Sequence, residues 1–204
     1  MIASGVGPLP PPPARTPIVV SGIVALATGL ACRRVVPTLH SLWAVGVPGS
    51  LVLVPFAGTR RTFLVFALAL ATEVPHARVH AAENSVEAFV WAKENFAAHA
   101  PAARLAFVDL ASAFPELDGR VDVLVSNPPY VPDAAIPRAP EVRHWDPPAA
   151  LYGGEDGLDV VRTLSGVGMR LLRPGGALVI EHGEWQGAPI RQLLAQDGWR
   201  AAST

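Results

Sequence analysis

The first 72 residues contain no aspartate and no glutamate, although the chain of 204 residues carries 17 acidic side chains. The same stretch has five arginines, no lysine and the proline run "PLPPPPARTP". A domain folded in water normally spreads charges of both signs over its surface. We therefore divide the chain into an atypical, poorly specified Pro/Ala-rich segment, residues 1–50, and a domain over residues 51–204 that we expect to be incomplete at both ends.

Cysteine is nearly absent, and this excludes two kinds of site. The single Cys32 can form no internal disulfide and cannot supply a cysteine-based zinc site, so we predict no metal and a reducing, cytoplasmic setting. The formal net charge is only -1 and half of the residues are hydrophobic. These values exclude an intrinsically disordered chain and a strongly basic nucleic-acid binder.

No apolar run is long enough for a typical membrane span. The stretch "PIVVSGIVALATGLACRR" has about sixteen mostly apolar residues, whereas a spanning helix needs roughly 20. A signal peptide would carry positive charge before its apolar core, and only Arg15 stands there. We expect no membrane association. A targeting segment, a buried or poorly specified helix, and a stretch not ancestral to the following domain remain alternatives.

From about residue 51 the pattern alternates between strands and helices. The predicted strands are "LVLVP", "ARVHAAE", "RLAFVDL", "VDVLVSN" and "ALVIEHG". The predicted helices are "RTFLVFALALATE", "SVEAFVWAKENFAAHA", "GLDVVRTLSGVGMRLLRPGG", which stops at Pro174-Gly175-Gly176, and "APIRQLLAQDGW". This alternation predicts βαβ units and an α/β domain with a mostly parallel sheet.

Ligands of such sheets bind at the carboxyl ends of the strands. The residues that follow the predicted strands there are Glu83, Asp109, Asn127-Pro128-Pro129-Tyr130 and Glu181-His182-Gly183. We therefore expect three acids and one unusual tetrapeptide to share one edge of the sheet.

The tetrapeptide Asn127-Pro128-Pro129-Tyr130 is rigid and rich in acceptors. Two prolines fix two φ angles and remove two backbone donors, and Pro128 pushes Asn127 towards extended geometry. The Asn127 side-chain oxygen and the free carbonyls can hold a planar –NH₂ group, against which Tyr130 can lie flat. The alternative is a proline-rich turn with a capping asparagine.

A planar –NH₂ nitrogen is a poor nucleophile, because its lone pair is delocalised. Acceptors that bind its N–H groups more strongly as the nitrogen pyramidalises stabilise the transition state more than the ground state. This arrangement suits attack on an activated methyl group. Glu83 could accept from ribose hydroxyls and Asp109 from an adenine amino group, although either acid could instead cap a helix or loop.

Three stretches, "VSNPPYVP", "EVRHWDPPAALYGGEDGLDVVRTL" and "LRPGGALVIEHGEWQG", resemble the peptide chain release factor N5-glutamine methyltransferases. The resemblance runs from about residue 67 to 204. It implies a Rossmann-like, S-adenosylmethionine-dependent methyltransferase sheet, here expected to lack the closing C-terminal strand pair. It also implies methylation of the glutamine in the Gly-Gly-Gln loop of class I release factors. Asn127 and the Pro128 carbonyl would hold the amide beside Pro129 and Tyr130. Glu83, Asp109 and Asn127 would contact S-adenosylmethionine.

Two parts of the family pattern are missing from this sequence. The family has a glycine-rich loop after its first strand, but residues 59–65 read "TRRTFLV". It also has a charged helical substrate-recognition domain where the N-terminal third of this chain has no acidic residue and a proline run. We expect weak cofactor binding, and we explain the break by a frame disruption or deletion upstream of residue 67. A catalytically inactive remnant is therefore one alternative function.

A second alternative is an adenine-N6 methyltransferase, because such enzymes share the Asn-Pro-Pro-Tyr motif. Residues 73–204 hold 11 basic and 17 acidic side chains, a formal balance of -6. A nucleic-acid enzyme should present a basic face. We therefore favour a protein substrate, and we expect a cytoplasmic monomer with no direct nucleic-acid contact.

Overall fold

The structure is a computed structural model that describes residues 16–19, 50–55, 67–68, 70–72, 77–137, 142, 146–200 and 202. For residues 16–19 and 50–55 the description concerns the backbone. Residues 59–65, where a glycine-rich loop was sought, lie outside the described ranges, as does most of the segment 1–50.

Six strands form one sheet in the order β1-β6-β5-β2-β3-β4, and every neighbouring pair is parallel. The strands are β1 Thr16–Val19, β2 Ser50–Pro55, β3 Arg78–Glu83, β4 Arg104–Phe107, β5 Val121–Asn127 and β6 Leu172–Ile180. From β2 the chain winds outward through β3 and β4, then returns to the other side of β2 with β5 and β6. The strand order thus reverses between β2 and β5, where doubly wound sheets bind ligands. The predicted α/β fold is confirmed, and no strand follows β6 within the described residues.

Four α-helices and two 3₁₀ turns have bounds within the described residues, and all but the last helix lie between strands. They are α1 Val86–His99, the 3₁₀ turns Leu110–Ser112 and Pro115–Leu117, the short α2 Pro148–Leu151, α3 Asp159–Leu171 and α4 Gly187–Gln196. Residues 67–68 and 70–72 are also helical, in agreement with the prediction for "RTFLVFALALATE". Ser85 caps α1 by accepting a hydrogen bond from the Ala88 amide (3.3 Å), as expected for a short hydroxyl side chain at this position.

The sheet is covered on both faces. Val161, Leu164 and Leu171 of α3 pack with Leu124 and Leu178 in one buried cluster. The opposite cluster contains Val125, Val179, Phe96 of α1, Ala67 and Leu70. Successive residues of a strand point to opposite faces, so the nearly uninterrupted apolar sequence of β5 supplies both clusters, as predicted for a strand buried on both sides.

The predicted stop of the third helix at Pro174-Gly175-Gly176 is wrong. α3 ends earlier, at Leu171, and β6 begins at Leu172. The register explains this: Val121 of β5 pairs with Leu172, whereas Val123 pairs with Ala177. The intervening residues of β6 leave the ladder and return, and Gly175 adopts a positive φ of 76° in that excursion. The Pro-Gly-Gly signal therefore marks an irregularity within the strand region rather than a helix end.

β1 was not predicted as a strand. It lies within the stretch interpreted as a targeting segment or a buried helix, yet Thr16–Val19 is extended and pairs with Ala177–Ile180 of β6. The rest of that stretch lies outside the described residues. Among the helices that the structure describes, none combines the length and apolar character of a membrane span.

Candidate functional site

Three polar residues stand at the carboxyl ends of β3, β5 and β6, with β2 between β3 and β5. Ala81, Val125 and Val179 belong to one core cluster, and the residues two positions further along are Glu83, Asn127 and Glu181. Because side chains alternate along a strand, these three share that face. The Glu181 amide donates to the Ser126 carbonyl (2.9 Å), which continues the β5–β6 ladder one step beyond β6.

Glu83 is a buried carboxylate with local hydrogen bonds. Its side chain is only 4% exposed, and its Oε1 accepts from the amides of Asn84 (2.9 Å) and Ser85 (2.8 Å). Burial raises the pKa of Glu83, and the hydrogen bonds from Ser85 and Asn84 oppose this shift. No donor from the described residues reaches the second oxygen, Oε2. A ligand hydroxyl could therefore bind there without displacing a protein contact.

Asp109 stands beside Glu83 but is exposed. Its Oδ1 accepts from the Ala111 amide (2.9 Å) and caps the 3₁₀ turn Leu110–Ser112. The neighbouring Val108 amide donates to the Glu83 carbonyl (3.0 Å). The two acids predicted as cofactor contacts thus lie on adjoining segments, and Asp109 also performs the capping role that was the alternative.

The 127–130 segment leaves β5 as a partly buried bend. Pro128 and Pro129 are buried, whereas Asn127 and Tyr130 are half-buried. Within the described part of the chain, no hydrogen bond involves the Asn127 side-chain amide or the Pro128 carbonyl. Burial raises the pKa of Tyr130, and the negative charge of Glu181 raises it further. The phenol therefore stays neutral near neutral pH and can pack flat against a planar group.

A second segment, which we call the 153–157 loop, packs against the backbone of residues 127–130. A Cβ on Gly153 would lie 2.5 Å from the Pro129 carbonyl oxygen, and a Cβ on Gly157 would collide with the Tyr130 carbonyl oxygen. Gly157 also has a positive φ of 75°. Gly153 donates from its amide to Val131 (2.9 Å). Only glycine fits at these two positions, so the motif "GGEDG" is structurally coupled to the Asn-Pro-Pro-Tyr motif.

Gln186 was not singled out from the sequence, yet its side chain joins three parts of the site. It is 2% exposed. Its Nε2 donates to the carbonyls of Tyr130 (2.9 Å) and Gly157 (3.3 Å), and its Oε1 accepts from the Gly183 amide (3.0 Å). The available signal was a lone amide residue two positions before the predicted helix "APIRQLLAQDGW", in the connection that follows a predicted strand.

Glu181 is a second carboxylate with a perturbed pKa at this edge. Burial raises the pKa of Glu181, and the group lies close enough to Tyr130 for its charge to act on that phenol. Its neighbour His182 is buried, with Nδ1 placed 2.8 Å from the Gly183 carbonyl oxygen. Among the described residues, no group of three or more His, Cys, Asp or Glu side chains could hold a metal ion.

Comparisons with known proteins give the family. The sequence profile named "Methyltransferase small domain" matches residues 64–139. A release factor glutamine methyltransferase of Streptomyces coelicolor is 47% identical over 139 residues, 67% of this chain and 49% of that protein. A 4-amino-L-phenylalanine/4-methylamino-L-phenylalanine methyltransferase of Streptomyces pristinaespiralis is 40% identical over 173 residues, 84% of this chain and 57% of that protein.

The fold has a counterpart among solved structures. The crystal structure of a methyltransferase from Pyrococcus furiosus has a TM-score of 0.51 at 18% sequence identity, and the match covers 79% of this chain and 71% of that one. The chain spans about half the length of the release factor methyltransferases that it matches. The chain belongs to the methyltransferase family that includes the release factor glutamine methyltransferases.

Proposed function

We propose that this chain transfers a methyl group from S-adenosylmethionine to the N5 amide nitrogen of a glutamine in the Gly-Gly-Gln loop of a class I release factor. The observation that carries the proposal is the 127–130 segment. This segment follows β5 at the point where the strand order reverses. Among the described residues, neither the Asn127 side-chain amide nor the Pro128 carbonyl has a hydrogen-bond partner. Relatives named as release factor glutamine methyltransferases support the choice of substrate.

The site would activate the amide by holding its two N–H groups. The Asn127 side-chain oxygen and the Pro128 carbonyl accept from the –NH₂ group, and Tyr130 packs against the amide plane. As the nitrogen loses conjugation and attacks, its N–H groups become stronger donors, so both acceptors bind the transition state more tightly than the ground state. The rigid prolines hold the acceptors in place before the substrate arrives.

The described residues fit the nucleoside end of the cofactor. S-adenosylmethionine supplies an electrophilic methyl group bonded to a sulfonium. Glu83 would bind ribose hydroxyls through Oε2, since Oε1 is already fixed by Asn84 and Ser85. Asp109 would receive the adenine amino group, and Asn127 would stand at the reacting end. Because Glu83 is buried and its pKa is raised, hydroxyl donors from a ligand would favour its charged form.

We also propose that cofactor binding is impaired. Residues 59–65, "TRRTFLV", stand where the family has glycines. Side chains there would obstruct close approach of the backbone to the methionine moiety. Titration calorimetry on the purified chain should show affinity for S-adenosylmethionine much weaker than that of a relative with the glycine-rich loop. Low-micromolar binding would contradict the impairment and leave the proposed reaction standing.

A second candidate function is N-methylation of a small aromatic amine. It is favoured by the Streptomyces pristinaespiralis relative, which matches a larger share of this chain than the Streptomyces coelicolor release factor methyltransferase does. An aryl –NH₂ group is also planar and conjugated, so the same acceptors would serve it. An adenine-N6 activity, by contrast, is disfavoured by the acidic balance of residues 73–204.

One competition assay separates these functions. The chain is incubated at saturating S-adenosylmethionine with a class I release factor, with 4-amino-L-phenylalanine, and with an adenine-containing oligonucleotide, and methylated products are identified by mass spectrometry. We expect methylation of the release factor, lost when its loop glutamine is replaced by glutamate. Methylation of the aryl amine alone would establish the second candidate in its place. An S-adenosylmethionine-saturated chain that methylates none of them would support the inactive remnant.

A further inference from the structure

The buried side-chain amide of Gln186 donates two hydrogen bonds and accepts one, all with backbone groups, and these belong to three segments. Nε2 contacts the Tyr130 carbonyl at 2.9 Å and the Gly157 carbonyl at 3.3 Å, while Oε1 accepts from Gly183 at 3.0 Å. The Tyr130 contact spans 56 sequence positions and the Gly157 contact spans 29. One side chain therefore connects the 127–130 segment, the 153–157 loop and the residues that follow β6.

Gln186 Nε2 supplies the hydrogen bonds to the Tyr130 and Gly157 carbonyls. Gly157 is buried and Tyr130 is half-buried, and among the described residues no other donor reaches either carbonyl. An unpaired carbonyl in such surroundings would be costly. A Cβ on Gly157 would approach the Gln186 nitrogen to 2.8 Å, so no larger residue fits between the segments. The peptide unit between Tyr130 and Val131 is thus held at both ends, because its carbonyl accepts from Gln186 (2.9 Å) and its N–H donates to the Leu151 carbonyl (2.8 Å).

That orientation matters for the acceptors two residues earlier. Pro128 and Pro129 have restricted φ angles, so the 127–130 segment moves largely as one unit. Holding the Tyr130 carbonyl at one end and the β5 ladder at the other fixes the direction of the Pro128 carbonyl and of Asn127. A displacement of about 1 Å in such acceptors can cost about 10²-fold in rate.

We propose that Gln186 is a positioning residue for methyl transfer, which locks the 127–130 segment against the 153–157 loop so that the Asn127 and Pro128 acceptors meet the substrate –NH₂ group. This inference rests on the proposed function for its catalytic consequence. Gln186 is 2% exposed and its side chain bonds to backbone groups, so we assign it a role through the segments that it holds rather than through ligand contact. That role is independent of which –NH₂ compound is methylated.

The test compares two substitutions at Gln186, the N-cap of helix α4, with matched changes at Gln192, an exposed residue within that helix. Gln186→Glu keeps the shape but places an oxygen against the Tyr130 and Gly157 carbonyls. Gln186→Leu removes the donor without adding charge. Gln192→Glu and Gln192→Leu make the same chemical changes at an exposed side chain that does not bond to the 127–130 segment or the 153–157 loop.

Hydrogen exchange followed by mass spectrometry reports the locking. The Val131 amide donates to the Leu151 carbonyl (2.8 Å) and the Gly153 amide to the Val131 carbonyl (2.9 Å), so these two bonds join the chain directly after the 127–130 segment to the start of the 153–157 loop. The Asp159 amide donates to the Gly153 carbonyl (2.9 Å) and closes that loop. We expect exchange of these three amides to accelerate at least tenfold in both Gln186 variants, with no change in the amides of α1 and none in the Gln192 variants. Equal protection of these amides in wild type and both Gln186 variants would overturn the proposal.

Kinetics at saturating cofactor supply the second readout. We expect kcat to fall about 10²-fold in Gln186→Glu, with the dissociation constant for S-adenosylmethionine changed less than threefold, because Glu83 and Asp109 lie outside the locked segments. A loss of cofactor affinity as large as the loss of kcat would indicate general unfolding and overturn the positioning role. If wild type methylates no substrate, only the proposed function is contradicted. The hydrogen-exchange comparison still decides whether Gln186 locks the two segments.

Discussion

The two sides of the candidate site are held by contacts of very different range. On the side that we propose for the ribose, here called the ribose side, Glu83 accepts from the amides one and two positions further along, and Asp109 accepts from the amide two positions further along. On the side that we propose for the substrate amide, here called the amide side, the 127–130 segment is held by Gln186, 56 positions away from Tyr130, and by the 153–157 loop. The ribose side is thus formed by local contacts at strand ends. The amide side is formed by contacts between three segments that are distant in the sequence.

This difference determines how each side tolerates change. A local turn can form whenever its strand forms, and a substitution there alters one or two hydrogen bonds. The amide side has backbone packed on backbone at Gly153 and Gly157, where close-packed interiors leave no space for an added methyl group. Substitutions on the amide side should therefore damage shape and chemistry together, and those on the ribose side should damage binding alone.

The largest effect should come from Gly157→Ala. Alanine would adopt the left-handed conformation at roughly 1–2 kcal/mol, and its Cβ would collide with the Tyr130 carbonyl, which adds about 1–3 kcal/mol of overpacking. We expect urea denaturation to show the sum of both costs, and methyl transfer to be lost.

Gly119→Ala is the matched control for that change. Gly119 has a similar φ of 67°, but nothing lies within 4 Å of the position of its Cβ. It should show the conformational cost alone. If the two variants lose equal stability, the contact between the 153–157 loop and residues 127–130 contributes nothing, and the contrast between the two sides is wrong.

The next largest effect is expected for Asn127→Ala, which tests the chemistry of the amide side without altering its backbone. Removing one positioned acceptor should lower the methyl-transfer rate on the order of 10² to 10³-fold. Binding of S-adenosylmethionine, measured by calorimetry, should stay nearly intact because the ribose side is untouched. Unchanged turnover in this variant would remove Asn127 from the proposed mechanism.

Glu83→Ala is expected to give a smaller effect, confined to cofactor affinity. A carboxylate bound to ribose hydroxyls makes charge-assisted hydrogen bonds of roughly 1.5–3 kcal/mol, so the dissociation constant for S-adenosylmethionine should rise by about one to two decades. An analogue that lacks the ribose should bind wild type and variant alike. An equal loss for that analogue would show that Glu83 does not contact the ribose.

The sequence predicted the local elements of the sheet well, because their causes are local. Strands β2 to β6 follow apolar runs, and Glu83, Asn127 and Glu181 were expected at one edge from strand ends alone. Pro174-Gly175-Gly176 misled because the same residues that stop helices also form irregularities in strands, and only the β5–β6 register separates the two. β1 was missed because its partner, β6, lies more than 150 residues away in the chain.

The amide side could be predicted only in part. The Asn-Pro-Pro-Tyr sequence indicated rigid acceptors, but the need for glycine at residues 153 and 157 depends on backbone that lies across the fold. Gln186 gave no strong signal, since a single glutamine is usually exposed; its buried position follows from two carbonyls that no local group can satisfy. The roles assigned to Asn127, Tyr130, Glu83 and Asp109 remain predictions for the experiments above.

The smallest effect concerns Glu181, a half-buried carboxylate whose negative charge acts on Tyr130. Burial raises the pKa of Glu181 above that of the unfolded chain. In the pH range from the unfolded pKa up through the folded one, the folded protein keeps a proton that the unfolded chain has released, so stability falls as pH rises. Glu181→Gln cannot ionise and should escape that loss.

We therefore expect Glu181→Gln to be more stable than wild type at neutral pH, with the difference shrinking as the pH is lowered below the unfolded pKa of the carboxyl group. Thermal melts from acid to neutral pH measure this, and Glu184→Gln, which removes an exposed carboxylate from the same segment, is the control. A pH-independent difference, or an equal gain in the control, would show that burial of Glu181 carries no cost. A gain that is confined to Glu181 would instead mean that this edge of the sheet keeps a destabilising carboxylate, as sites that trade stability for ligand binding commonly do.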